Sequence, residues 1–186
     1  MVAQGIEAGG HRGIFDPEAP DETRAMMDLL DAVLTASPLP VIAAGGIMTG
    51  ADIAAALARG AVAAQLGTAF VGCPESAADA SYRAALAAAV PGGTRLTDAI
   101  SGRPARCLAN RFTALGETLR DVPRAGYPYT YDAGKSLNAV ARAKGEFGYG
   151  AHWAGTGAPG ARAMPAADMV ATLAAELRQA QSALNG

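Results

Sequence analysis

Pro40-Val41-Ile42-Ala43-Ala44-Gly45-Gly46-Ile47, followed by Gln65-Leu66-Gly67-Thr68, is the pair of stretches whose reading decides the fold of this chain. Val41–Ala44 is a short apolar run between proline and glycine, the pattern of a strand buried on both faces. The Gly45-Gly46 pair then turns the chain into a helix expected over Gly50–Arg59, with Gly60 suited to the left-handed position that ends it. Val62–Leu66 reads as the next strand, Gly67-Thr68 as the next turn, and a further helix is expected over Ala77–Val90. Strand, glycine turn and helix in repetition make a parallel βα unit. The 21 residues from Gly46 to Gly67 hold one unit and leave no room for an intervening domain.

Working outward, Met1–Gly5 reads as the end of a strand that runs into a glycine-rich loop. Asp21 is the expected N-cap of a helix reaching about Ser37, with Met26, Leu29, Leu30, Val33 and Leu34 on one buried stripe. Pro38 and Pro40 end it. Pro91 to Gly160 carries Gly, Pro and Tyr in an irregular pattern, including Gly126-Tyr127-Pro128-Tyr129-Thr130-Tyr131. A last amphipathic helix is expected from Pro165 to Leu184, with Met169, Val170, Leu173, Leu177 and Leu184 on its apolar face. No charge run or low-complexity linker divides the chain, so residues 1–90 read as βα units and 91–186 as an extension packed on them.

The composition narrows the function. Of 186 residues, 51% are hydrophobic and 17% charged, a balance that can form a packed core. A net charge of −2 argues against a nucleic-acid partner, which needs a basic face. Cys73 and Cys107 have neither metal-ligand spacing nor a histidine cluster beside them, so no metal site and no disulfide framework is expected. The first residues lack the basic start and apolar run of a signal peptide, and no window resembles a membrane span. A cytoplasmic protein without membrane contact is the expectation.

Two successive glycine turns, each opening a helix, are a recurrent phosphate cradle, because backbone N–H groups reach an anion unobstructed and the helix dipole favours it. The same glycines also serve as tight turns in any α/β protein. In Gln4-Gly5-Ile6-Glu7-Ala8-Gly9-Gly10-His11-Arg12-Gly13, the Gly9-Gly10 pair lets a flat ring system lie against the backbone, and His11 is a candidate general base. A lone loop histidine is otherwise solvated or structural. Glu7 could orient the imidazole or merely face solvent. Tyr127, Tyr131 and Lys135 are spaced four and four, one side of a helix, although Pro128 places Tyr127 in the preceding loop. Arg103 and Arg106 read as surface charges ahead of anion contacts. His152 reads as structural, beside an aromatic neighbour, Trp153.

These blocks together resemble nitronate monooxygenase, formerly called 2-nitropropane dioxygenase: Gln4–Gly13, Pro40–Ile47, Gln65–Phe70 with Glu75-Ser76, then Ser101–Phe112 and Trp153-Ala154-Gly155. The resemblance covers essentially the whole chain. It implies an FMN enzyme in which Gln4, Gly9 and Gly10 face the flavin, while Gly45, Gly46 and the turn Gln65, Leu66, Gly67 and Thr68 hold its phosphate. It also implies that His11 acts on the substrate, that Tyr127, Tyr131 and Lys135 line the substrate pocket, and that nitronates react with O2 to give a carbonyl compound and nitrite. The implied fold is α/β: the C-terminal part of a TIM-type (βα)8 barrel with a helical extension, the barrel incomplete, since a whole one takes about 250 residues. A partner chain or an N-terminal segment would complete it. A flavin-dependent enoyl-acyl-carrier-protein reductase resembles the same glycine and histidine blocks. An inactive remnant or interaction module is the reading from a different class.

Overall fold

The computed structural model describes residues 1–17 and 19–184. Its first sheet is the parallel one that the glycine-bounded runs predict. β1 (Val2–Gln4) pairs with β3 (Ile42–Ala44), and β3 with β4 (Ala63–Gln65), in the order β1-β3-β4. The register is Ala3 to Ala43 to Ala64. Small residues at the centre let helices approach the sheet closely, and α1 (Met26–Ala36) and α2 (Gly50–Ala58) pack on it. Leu30, Val41, Ala43 and Ala56 are fully buried between them.

Helix α1 starts at Met26, not after Asp21. Its N-cap position, Ala25, has no capping side chain. The Glu7 carboxylate, nineteen residues earlier, accepts the Met26 N–H at 2.9 Å instead, so Glu7 caps α1 from across the fold and does not orient His11. Asp21 is engaged elsewhere, as an ion pair with buried Arg12 at 2.6 Å. Helix α2 matches its local signals. Thr49 and Asp52 form a reciprocal capping box, and Gly60 takes the left-handed conformation, φ 106°.

Past β4 the chain makes a one-turn helix, α3 (Thr68–Val71), and then α4 (Ala80–Ala87), shorter at both ends than the Ala77–Val90 expected. The stretch from Pro91 to Gly160 is more regular than its composition suggests. β5 (Thr94–Thr97) and β6 (Ala105–Leu108) pair antiparallel, and helices α5 (Arg111–Thr118) and α6 (Tyr129–Ala143) follow. The last helix, α7 (Ala166–Leu184), docks on α2: Gly50 donates its N–H to the Glu176 carboxylate at 2.8 Å. Met169 and Leu173 are buried on α7 as expected, whereas Val170 is 56% exposed. The side chain of Leu184, assigned to the same face, lies outside the described residues.

A second sheet joins the two regions. β2 (Gly10–His11) pairs antiparallel with β6, Gly10 opposite Arg106 and His11 opposite Ala105, giving the order β2-β6-β5. Strand β6 therefore gives the glycine-rich loop a sheet partner from residues past 91. No closed barrel forms among the described residues.

Candidate active site

A cleft of about 350 Å³ opens where the loops after β1, β3 and β4 meet. Gln4, Gly9 and Gly10 line it from the first loop, Gly45 and Gly46 from the second, Gln65, Gly67 and Thr68 from the third. Gly45 and Gly46 have φ of 119° and 73°, a backbone that L side chains rarely adopt. A Cβ on Gly67 would meet nothing within 4 Å, so the cleft is open above that turn. Among the described residues, no Lys, Arg or His side chain lines the cleft. An anionic group there would rely on backbone N–H groups and hydroxyls.

The dipole of α2 adds less than its sequence position promises. The N–H groups of Met48 and Thr49 are taken by Asp52 Oδ2, at 3.0 and 2.9 Å, and that of Gly50 by Glu176. Carboxylates of the protein already occupy that helix N-terminus. Thr68 is also engaged, its Oγ1 accepting the Gly155 N–H at 2.9 Å. Leu66 points away from the cleft, as strand alternation demands. Its side chain packs near Ile53 against the clusters under α1, α2 and α7, so it offers the cleft no side-chain contact.

His11 stands in an aromatic cluster beside this cleft. Its ring centroid is 5.2 Å from Tyr127, 5.3 Å from Trp153 and 6.1 Å from Tyr131. Gly10 and Trp153 line the cleft and touch the cluster, so they connect the two. Burial and, secondarily, the nearby Arg103 charge hold the imidazole below its ordinary pKa, which keeps it neutral at pH 7. Its Nε2 lies 2.8 Å from the hydroxyl of fully buried Ser101, and that hydroxyl lies 3.1 Å from the Arg103 carbonyl. A carbonyl can only accept, so in the arrangement where Ser101 donates to Arg103 it accepts from His11. The assigned tautomer therefore carries its proton on Nε2 and leaves the lone pair on Nδ1.

A dense polar network positions the histidine loop. Gln4 donates from Nε2 to the His11 carbonyl at 3.0 Å, and its Oε1 accepts from the Gly13 N–H at 2.7 Å and from Arg12 at 3.2 Å. Arg103 donates to the carbonyls of Arg12 and Ile14, and Arg106 to that of Ile6 at 2.9 Å. Both arginines thus act as half-buried clamps on loop carbonyls, and the surface-charge reading of them does not hold. Gly9 is glycine for packing: a Cβ there would come 2.6 Å from the backbone of Ala154 and Gly155.

Most of the expected site residues converge. Lys135 is the outlier. Its side chain is exposed, pairs with Asp132 at 3.2 Å and lies 4.4 Å over the Tyr131 ring, one ring removed from His11. Ser101 and Trp153 went unrecognised as neighbours of His11, since 90 and 142 residues separate them from it. Gly102, with φ 77° beside Ser101, was the available hint of a specialised turn.

The family model of nitronate monooxygenase matches residues 1–176. A nitronate monooxygenase of Paraburkholderia phytofirmans is 60% identical over 96% of this chain and 49% of its own length. One from Pseudomonas aeruginosa is 50% identical over 96% of this chain and 51% of its own. The crystal structure of nitroalkane oxidase from Streptomyces ansochromogenes superposes with a TM-score of 0.90 at 44% identity, covering 98% of this chain and 52% of that one. FabK from Thermotoga maritima gives 0.78 at 28% identity, over the whole of this chain and 56% of its own. The chain spans about half the length of the relatives it matches. By family model, sequence identity and fold alike, the chain belongs to the nitronate monooxygenase family.

Proposed function

We propose that residues 1–90 are the late βα units of an FMN-binding (βα)8 barrel, that 91–186 are an extension packed on it, and that the site oxidises alkyl nitronates. The edges of the parallel sheet at β1 and β4 have no further strand beyond them among the described residues, and additional barrel strands would pair there. A partner chain or an N-terminal segment is the source of those strands in this reading. The cleft fits the cofactor in kind: it is floored by glycine, uncharged and within the size range of small-molecule sites. FMN, when bound, supplies the redox step with O2 that yields a carbonyl compound and nitrite.

The chain's own residues bind, orient and move the proton. The backbone at Gly45, Gly46, Gly67 and Thr68 holds the phosphate end, and Gly9 and Gly10 let the ring lie against the loop. His11 takes a proton from the carbon bearing the nitro group at Nδ1, since Ser101 holds Nε2–H. Tyr127, Tyr131 and Trp153 exclude water around it, and Lys135 reaches the anionic nitronate by exchanging its surface partner Asp132 for it. The observation that carries the reading is a neutral, anchored imidazole in an aromatic enclosure beside the glycine-floored cleft.

The test combines binding with substrate discrimination. Added FMN stays with the protein through gel filtration, and nitroalkanes drive oxygen uptake without NADH. Replacing His11 by Asn lowers oxidation of neutral nitroethane by about a hundredfold or more and that of preformed ethyl nitronate only a few-fold. Equal loss on both substrates removes the general-base role. Failure to retain FMN, or a requirement for NADH, overturns the functional reading.

A further inference from the structure

Helix α6 carries Tyr131 and Lys135 of the proposed substrate pocket, yet the fold holds it lightly. Of its fifteen residues only Gly134 and Ala141 are buried. The first half is packed: Tyr131 joins the cluster of Ile100, Cys107 and Phe112, and a Cβ on Gly134 would come 2.6 Å from the Ile100 carbonyl oxygen. One face of the helix, Tyr131, Gly134, Lys135, Asn138 and Arg142, lines a cavity of about 530 Å³ that Trp153 also borders. Tyr131, Lys135 and Trp153 belong to the substrate pocket, so this cavity is the continuation of that pocket along α6. A helix with a cavity on one face and solvent on the others has few apolar contacts to lose when it lifts.

One ion pair holds the second half down. Past Lys135, among the described residues, the only hydrogen bond or ion pair from an α6 side chain to another element joins Arg142 to the Asp79 carboxylate. Asp79 is placed without help from Arg142. As N-cap of α4 it accepts the Tyr82 N–H at 2.9 Å and the Ser81 hydroxyl at 2.6 Å. The paired side chains are 41% and 37% exposed, and a pair so open to water shifts a two-state equilibrium by only about two- to fivefold. Asp79, held at about 2 chiefly by its hydrogen bond from Ser81, stays ionised at neutral pH, so salt rather than acid weakens the pair. Asn138, one turn before Arg142 on the same face, has its Oδ1 wholly covered.

We propose that the second half of α6 is a lid over the substrate pocket, latched to the N-terminus of α4 by the Arg142–Asp79 ion pair and lifted to admit the substrate. The identity of that substrate rests on the nitronate reading; the latch does not.

The full chain, with neither flavin nor substrate, tests the latch. Asn138→Cys puts a thiol under the lid, and its reaction with methyl methanethiosulfonate is followed by mass spectrometry. Cys73 and Cys107, both buried, are the internal controls. Adding Arg142→Gln, or Asp79→Asn, which keeps a capping side chain on α4, raises labelling about two- to fivefold at low salt. High salt produces the same rise in Asn138→Cys alone and none in the combined variants. Unchanged labelling in both combined variants overturns the proposal, as does a rise shared by Cys73 and Cys107, which reports general loosening. Should Asn138→Cys fail to fold, hydrogen exchange decides. Faster exchange of the α6 amides past Lys135 in Arg142→Gln, with α4 unchanged, supports the lid, and unchanged exchange overturns it. In FMN-loaded protein, Arg142→Gln raises KM for ethyl nitronate about two- to fivefold with kcat little altered, because binding draws on the closed state. An unchanged KM beside faster labelling overturns the lid's part in substrate binding. Labelling that follows the latch in a protein that oxidises no nitronate supports the lid and overturns the nitronate reading alone.

Discussion

Ser101 determines which nitrogen of His11 can accept a proton. With its hydroxyl hydrogen given to the Arg103 carbonyl, it serves His11 as acceptor. The ¹⁵N spectrum of the wild-type chain therefore shows His11 protonated on Nε2 and bare on Nδ1. In Ser101→Ala both tautomers are populated, while the His152 signals stay in place. A wild-type His11 protonated on Nδ1 contradicts the assignment. His11 was legible as a candidate base because glycines flank it and histidine titrates near neutrality. Its partner was not, because a hydrogen bond between residues 90 positions apart leaves no periodicity in either stretch. Glu7 shows the same limit from the other side. Adjacent to the glycines, it looked available to His11, yet its carboxylate reaches the Met26 N–H at the start of α1.

Among the elements, α2 was legible from its local signals, whereas the antiparallel sheet of β2, β5 and β6 was not. Helix α2 has its capping box at Thr49 and Asp52 and its glycine stop at Gly60, all visible in sequence. What the sequence does not display is how closely α7 lies on it. A Cβ at Gly50 would sit 2.2 Å from the Leu177 backbone nitrogen and 2.4 Å from the Glu176 Cβ. Gly50→Ala forces the helices apart and costs about 1–3 kcal/mol in spite of alanine's better helix propensity, read as a fall in the urea midpoint. An unchanged midpoint would mean that α7 is not docked there. Strands β5 and β6 escaped notice because Thr94–Thr97 and Ala105–Leu108 are four residues each, too short for alternation to stand out. Through β6 they pair with β2, the strand that carries His11.

For the molecule as a whole, half-buried His11 and buried His152 set a pH dependence. His11 and His152 both sit below their ordinary pKa of 6.5, with burial the first cause in each. The unfolded chain therefore binds more protons as pH falls through 6.5, and stability declines as pH drops toward and through the lower folded values. The urea midpoint is expected to fall between pH about 7.5 and about 5.5, and less so in His152→Phe. Asp79, held at about 2 chiefly by its hydrogen bond from Ser81, contributes stability that is lost only in far more acid solution, outside that window. A midpoint that stays flat across the window would show that neither imidazole is desolvated.

The sequence alone determined the parallel βα repeat, the glycine turns and the candidate base, because strand runs, glycine turns and helix caps act over a few residues. Tertiary structure decided what those residues touch. It set Asp52 and Glu176 on the α2 N-terminus that had looked open for a phosphate, turned Leu66 away from the cleft, and made clamps of Arg103 and Arg106. It also brought Ser101, Tyr127, Tyr131 and Trp153 around His11. The reason is physical. A buried donor or acceptor takes whichever partner the packed chain brings within about 3 Å, and that choice belongs to the whole fold.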